Sequence, residues 1–262
     1  MIYVCIPSFD EAPTIGLLLW KIRKVFTEFP REYQLLVADD GSSDGTAELL
    51  EPYAKVLPLT VVRHDSRQGY GPSLEALLRL AVERTDRPKR DCAVIMHADF
   101  AHGPQYLPDL IRQIESGADL VVAEASGIRS ENSRARRWAR RAAPHLLGGR
   151  ARVPGVHDTV SGYAALRLVM LRNTLRDLSG PLITTEGWVA NAELYARVAH
   201  FARRIETIRV EERLDLRERS SRHTPWESVR ALWRGSRRLR VPPARLPKSA
   251  ATKPPGQPAE VV

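Results

Sequence analysis

Val37–Thr46 reads Val-Ala-Asp-Asp-Gly-Ser-Ser-Asp-Gly-Thr, an apolar strand that stops at two carboxylates and a glycine turn. A parallel strand ending this way delivers side chains to the carboxyl edge of an open α/β sheet, where such sheets bind their ligands. Gly41 and Gly45 permit the sharp turn, and Thr46 can cap the helix that follows. Paired acids repel a bare phosphate, so Asp39 and Asp40 suit neutral donors such as a base N–H or ribose hydroxyls. The same ten residues would also serve as an Asx-type turn between strand and helix, and alone they do not choose.

Two further stretches repeat the pattern. Ile2–Glu11 is a buried-type strand ending in Pro7-Ser8-Phe9-Asp10-Glu11, with Pro13 placed for a first helical turn. Ala93–His102 is a third, ending in His97-Ala98-Asp99. The periodicity predicts strands at 2–6, 34–38, 59–63, 92–96 and 120–123, with helices at 14–27, 46–53, 72–83 and 105–115. This alternation is that of a doubly wound, mostly parallel sheet flanked by helices. The three acidic strand ends would then converge on one crevice. At 262 residues, one domain over 1–240 is expected, and the six prolines from Val241 onward predict a disordered 241–262 tail.

Cys5 and Cys92 both fall in predicted core strands, as buried thiols of a reduced cytoplasm do. Met1 leads directly into a strand, so no signal peptide is expected, and no apolar run approaches the ~20 residues that span a bilayer. The expectation is a cytoplasmic protein, soluble or peripheral on a membrane. The net charge of +9 is unevenly placed: Arg129–Arg152 holds eight arginines against one acid, Glu131.

The order and spacing of these motifs resembles the family 2 glycosyltransferases, and within them the polyprenyl-phosphate sugar synthases such as dolichyl-phosphate mannose synthase. That resemblance implies the type-A glycosyltransferase fold and places Pro7, Asp10, Glu11 and Asp39 around a nucleoside, with Asp40 at the turn. Gln68-Gly69-Tyr70-Gly71 looks like the family's glycine-rich segment after the third strand, although it would also serve as a plain helix start. The metal motif departs from type. Where the family shows Asp-Ala-Asp followed by Leu-Gln-His, this chain has His97-Ala98-Asp99 followed by Phe100-Ala101-His102. Two oxygen ligands are lost, and an imidazole suits Mn²⁺ better than Mg²⁺. A Mn²⁺-preferring site on Asp99 and His97, a weak site and a lost site all remain open.

Asp158-Thr159-Val160-Ser161-Gly162-Tyr163 resembles the family's acceptor-side segment, which makes Asp158 the catalytic carboxylate facing the nucleophile, alongside Asp99. A phosphate acceptor arrives already anionic, so Asp158 would orient it; an alcohol would need Asp158 as general base. Glu186-Gly187-Trp188 and Asn191-Ala192-Glu193 match a family helix, read as running to Arg203, with Asn191 in place of an acid. Arg217, Ser221 and Arg222 align with a basic loop able to clamp a diphosphate, with Arg219 where a glycine is usual. Basic stretches carrying Trp138, Trp226 and Trp233 suit an anionic membrane surface, or simply pack on the domain.

The resemblance implies an inverting, metal-assisted transfer of sugar from a nucleoside diphosphate sugar to a polyprenyl phosphate. A soluble small-molecule acceptor is the alternative within the class. A non-catalytic sugar-nucleotide binder and a nucleic-acid binder are the competitors outside it. Nucleic acid is not expected as partner, because the acid-rich crevice would repel phosphates and the arginines lack a stacking platform.

Overall fold

The computed structural model describes residues 1–129, 138, 140, 142–143, 145–147, 151–213, 233–234, 237, 239 and 241. Among these, seven strands form one sheet in the order β3-β2-β1-β4-β6-β5-β7. The strands are β1 Ile2–Ser8, β2 Tyr33–Asp39, β3 Leu59–Arg63, β4 Cys92–Ile95, β5 Leu120–Arg129, β6 Ala164–Arg167 and β7 Ile205–Arg213. β1 pairs parallel with β2 and β4, and β2 with β3; only β6 runs against its neighbours. The helices are α1 Ala12–Glu28, α2 Thr46–Val56, α3 Tyr70–Arg84, α4 Leu107–Glu115, α5 Leu168–Asp177 and α6 Trp188–Ala199.

Strands covered on both faces must be apolar throughout, which is why they read as continuous hydrophobic runs. Their side chains alternate between two cores. Tyr3, Cys5, Leu36, Ala38, Ala93 and Ile95 face the layer built by α3, α5 and α6. Ile2, Val4, Ile6, Leu35, Val37 and Val94 face α1 and α4. Both cysteines are buried and unbridged, as the sequence predicts.

Three expectations need adjusting. The helix read as reaching Arg203 ends at Ala199. The one predicted over 105–115 opens as a 3₁₀ turn, Pro104–Tyr106, before α4. The sequence reading placed no element at β6 or α5. Yet β6, by reversing direction beside β4, carries the segment before it, 158–163, to the edge where β1, β2 and β4 end. The described Val241 packs, partly buried, against the α3/α6 core beside buried Leu239, so chain contact continues to the first residue of the expected tail.

Candidate active site

The chain reverses strand order between β2-β1 and β4, and the open edge there is a topological switch point. Loops after β1 and β2 bind each other across it. The Asp10 carboxylate accepts from the Ser43 N–H at 2.8 Å, and the Asp10 N–H donates to Ser42 Oγ at 2.8 Å. Asp10 adopts φ 50°, a left-handed conformation that the double link holds in place. The Glu11 N–H donates to Thr46 Oγ1 at 3.0 Å, and the Ala12 N–H to Asp44 Oδ2 at 3.0 Å.

Asp40 ties in a third loop. Its Oδ1 accepts from the Gln68 N–H at 2.8 Å and meets His64 Nδ1 at 2.9 Å, while Oδ2 accepts from the Gly69 N–H at 2.8 Å. Burial alone would raise the Asp40 pKa, but these donors outweigh it and hold the carboxyl below its usual value. Gly41 is needed where the loops meet: at φ 70°, a Cβ would stand 2.9 Å from backbone atoms of Ser66 and Arg67. Of the residues assigned to the nucleoside, Asp10, Asp40 and Gly69 thus spend polar groups building the platform, and Pro7 is buried within β1.

Asp39 differs. It is fully buried, and its Oδ1 accepts from the Ser42 N–H at 3.2 Å. Its Oδ2 has no hydrogen-bond partner among the described residues; Arg63 Nε stands 3.6 Å away. A buried acceptor left open is costly unless a ligand serves it.

Beyond β4, a row of rings crosses the edge. His97 stacks on Tyr70 at 5.2 Å and faces His102 at 6.2 Å, and His102 lies 5.2 Å from Tyr163. Tyr70 donates its hydroxyl to Asn191 Oδ1 at 2.8 Å. The imidazole of His97 fills the place of the missing side chain at Gly162, where a Cβ would lie 1.8 Å from Nε2. Any side chain at 162 would expel it. Asp99 is half-buried and accepts from the Ala101 N–H at 3.0 Å. Among the described residues no three His, Cys, Asp or Glu side chains gather as a metal cage. The Asp99 carboxylate is a hard oxygen donor of the kind divalent ions take.

Past that row lies a cleft of about 60 Å³, lined by His97, His102, Arg140, Gly162, Trp188 and Glu212, among others. Arg140, from the arginine-rich run, is buried and not on the surface. It donates to both Glu212 oxygens at 2.7 and 3.1 Å, and its Nη1 lies 3.3 Å from Asp158 Oδ2. Burial lowers the affinity of Arg140 for its proton, but Asp158 and Glu212 more than reverse this, so the guanidinium stays charged. For Asp158 burial dominates: its carboxyl is raised despite Arg140, with Glu212 and Glu124 adding to the rise. Asp158 Oδ1 is buried without a hydrogen-bond partner among the described residues.

The edge thus brings together Pro7, Asp10, Glu11, Asp39, Asp40, Gly69, His97, Asp99 and Asp158. Arg217, Ser221 and Arg222 lie outside the described residues, as do Arg219 and Trp226. Sequence reasoning missed Arg63, His64, Arg140 and Glu212. Arg63 at the end of β3 and Glu212 near the end of β7 share the one local signal that could have found them, a charged residue at a strand end.

The sequence profile of Glycosyl transferase family 2 matches residues 3–175, well over half the chain. The chain belongs to this family. This family 2 glycosyltransferase is 29% identical over 207 residues to the undecaprenyl-phosphate mannosyltransferase of Micrococcus luteus, covering 76% of this chain and 78% of that protein. It is 29% identical over 170 residues to the dolichol-phosphate mannosyltransferase of Pyrococcus furiosus, covering 63% of this chain but 45% of that one. In fold it resembles glucosyl-3-phosphoglycerate synthase from Mycobacterium tuberculosis in complex with phosphoglyceric acid, with TM-score 0.63 and 19% identity, covering 92% of this chain and 81% of that one. The same synthase in complex with Mn²⁺, uridine diphosphate and phosphoglyceric acid superposes with TM-score 0.60 at 21% identity, covering 89% and 75%. Its mostly parallel sheet with flanking helices is the family's fold, and it is a glycosyltransferase.

Proposed function

We propose that this glycosyltransferase moves a sugar from a nucleoside diphosphate sugar to a polyprenyl phosphate with inversion. The observation that carries the donor half is Asp39 Oδ2, a buried acceptor with no hydrogen-bond partner among the described residues and only the half-exposed Arg63 guanidinium near it, on a platform cross-linked by Asp10, Asp40 and Asp44. The acceptor half rests on the two polyprenyl-phosphate mannosyltransferase relatives and on the cleft holding Arg140 and Trp188.

The acceptor oxygen attacks the anomeric carbon on the face opposite the diphosphate. The anomeric C–O bond breaks, and its electron pair leaves with the nucleoside diphosphate. Asp99, with His97 beside it, would hold a divalent ion that offsets the charge growing on the leaving group. His97 in place of an acid favours Mn²⁺ over Mg²⁺. Arg217, Ser221 and Arg222 would clamp the diphosphate. A phosphate acceptor arrives already anionic at neutral pH, and Arg140 is an arginine that lines the cleft it would enter. Membrane contact is peripheral in this reading; no helix among the described residues is long and apolar enough to cross a bilayer.

A second reading is favoured by Asp158. Its raised carboxyl and open Oδ1 suit a general base for a neutral hydroxyl acceptor of a soluble molecule. Incubating the enzyme with labelled UDP- and GDP-sugars plus undecaprenyl phosphate, then extracting into organic solvent, separates the two. Label in the lipid phase with loss of nucleoside diphosphate sugar supports the first. Label confined to water-soluble acceptors supports the second.

A further inference from the structure

We propose that the outer face of α1 and α2 is a two-fold interface, on which a second copy of this chain docks α1 against α2.

α1 buries one stripe, which includes Ile15, Leu18, Leu19, Ile22 and Phe26, against the sheet. The opposite stripe of such a helix is ordinarily polar. Here Leu17 and Trp20, one turn apart, stand 54% and 53% exposed, and Lys21 and Lys24 continue the same stripe. Val56, which ends α2, is 68% exposed. These are three of the five large apolar side chains left in solvent among the described residues. Single exposed apolar residues are ordinary, whereas a group on two neighbouring helices marks a contact surface. Gly16 joins the helices closely, because a Cβ there would stand 2.7 Å from Tyr53 Oη and 3.2 Å from Leu49 Cδ2. α1 and α2 therefore present one surface, with Gly16 level with the turn over 49–53.

Charge selects a second copy as the occupant. The chain carries +9, so most of its surface repels its own kind. This face is nearly neutral and divided. α1 holds three bases, Lys21, Arg23 and Lys24, against one acid, and α2 holds two acids, Glu48 and Glu51, against one base. All are exposed. The contact of Lys24 with Glu28, 3.9 Å between side chains 63% and 69% exposed, is loose enough to exchange. Both helices follow parallel strands on one layer and run the same way. A two-fold axis between them reverses the second copy, so the C-terminal half of each α1 lies along the N-terminal half of the other copy's α2. Lys21 and Lys24 of one copy then face Glu48 and Glu51 of the other, twice over, and Leu17 and Trp20 meet near the axis.

α1 is ~25 Å long over its 17 residues and the helix pair is ~20 Å wide, so each copy covers about 500 Å². The total of about 1,000 Å² is the floor for a specific interface, and a dissociation constant on the order of 10 μM follows.

Sedimentation velocity of the full chain at low salt tests this. The parent chain should dimerise in that range. Trp20→Glu should weaken the dimer about a hundredfold with an unchanged circular dichroism spectrum, and Trp233→Glu, at an exposed ring outside the two helices, should leave it intact. Charge exchange gives a second reading on exposed residues alone. Lys21→Glu with Lys24→Glu in one chain, and Glu48→Lys with Glu51→Lys in another, each give α1 and α2 like charge, and each chain should be monomeric. Mixed in equal amounts, the two should pair again. A parent that is monomeric at roughly 200 μM, twenty times the expected constant, overturns the proposal. So does a dimer that survives Trp20→Glu or is lost equally in Trp233→Glu, or a mixture of the exchanged chains that stays monomeric. A monomeric parent that binds vesicles through Trp20 also overturns it, and gives the face to lipid.

Discussion

The two sides of the sheet edge are built by different means. On the β1–β2 side, three loops interlock through hydrogen bonds from backbone N–H groups to Asp10, Asp40 and Asp44, each made with partners near in space and fixed by strand register. On the β4–β6 side, Arg140, Glu212 and Asp158 form a buried ion cluster, and rings from Tyr70 to Tyr163 fill the seam. Many short hydrogen bonds make a rigid receptor that changes little on binding. A buried charge cluster depends on every member staying paired, because each loss strands a charge in low dielectric. The first design suits holding one invariant donor group, and the second suits a site whose charge must answer to what enters it.

The largest expected effect strikes the ion cluster. Arg140→Met removes the cation shared by Glu212 and Asp158 and should cost about 3–5 kcal/mol of stability, the usual result of breaking a buried pair. Arg63→Met, also an arginine near a buried aspartate but largely exposed, should cost under about 1 kcal/mol. Urea denaturation of both variants checks this. If the two losses are equal, the contrast between the sides is wrong.

Asp99→Ala should follow, with transfer rate falling about 10²- to 10³-fold, near 3–4 kcal/mol of barrier, as expected on losing the carboxylate that would hold the ion offsetting leaving-group charge. The fold should persist, because Asp99 is half-buried and the bond it accepts from the Ala101 N–H is local. Steady-state assays with Mn²⁺ and with Mg²⁺ measure it. A rate within threefold of the parent would remove Asp99 from the chemistry.

The third prediction sets the sides against each other by pH. The folded state lowers the Asp40 pKa from its ordinary 3.8, so ionised Asp40 contributes stability that is present above 3.8 and lost as pH falls through the lower folded value. It raises that of Asp158, so the Asp158 contribution is present below 3.8 and lost as pH rises through the higher folded value. Asp40→Asn should therefore cost about 1.5–3 kcal/mol at pH 7 and pH 5 alike, one charge-assisted bond, and less once pH falls below 3.8. Relative to the parent, Asp158→Asn should fare better as pH rises. Denaturation series at pH 3, 5 and 7 test both slopes, and parallel slopes would erase the distinction.

The β1–β2 side was largely legible in the sequence and the β4–β6 side largely was not, for one physical reason. A doubly covered strand must be an unbroken apolar run, so its end announces itself, and Asp39, Asp40 and Asp99 stand at such ends. What joins loops from separate strands leaves no local trace: nothing near Asp10 points to Ser43, 33 positions on. Arg140 sits among eight arginines whose composition speaks for a solvated run. Its burial depends on Glu212, 72 positions away. β6 is four residues, Ala-Ala-Leu-Arg, too short for any periodicity to show. His97 was read as a metal ligand from its place in a motif, and its fit into the space at Gly162 could be seen only once β4 and β6 were neighbours.

The smallest expected effect concerns what lies outside the edge. Trp138 and Trp233 are exposed, at 59% and 50%, and the Arg237 guanidinium lies 3.9 Å over the Trp233 ring. Both belong to arginine-rich stretches of the chain's second half, whereas Trp20, 53% exposed, lies midway along α1. If the acceptor is a membrane lipid, the exposed rings of Trp138 and Trp233 are expected to meet the bilayer. Each basic residue near an anionic surface adds about 1 kcal/mol at most, screened over ~8 Å at physiological salt. Co-sedimentation with phosphatidylglycerol-rich vesicles should therefore be strong at low salt and fade as salt rises. Trp138→Ala with Trp233→Ala should weaken binding several-fold, and Trp20→Ala should leave it unchanged. Equal losses from both sets would show that contact is not oriented by the acceptor side. A chain that stays in the supernatant at low salt would shift the weight to a soluble hydroxyl acceptor, with Asp158 as its base.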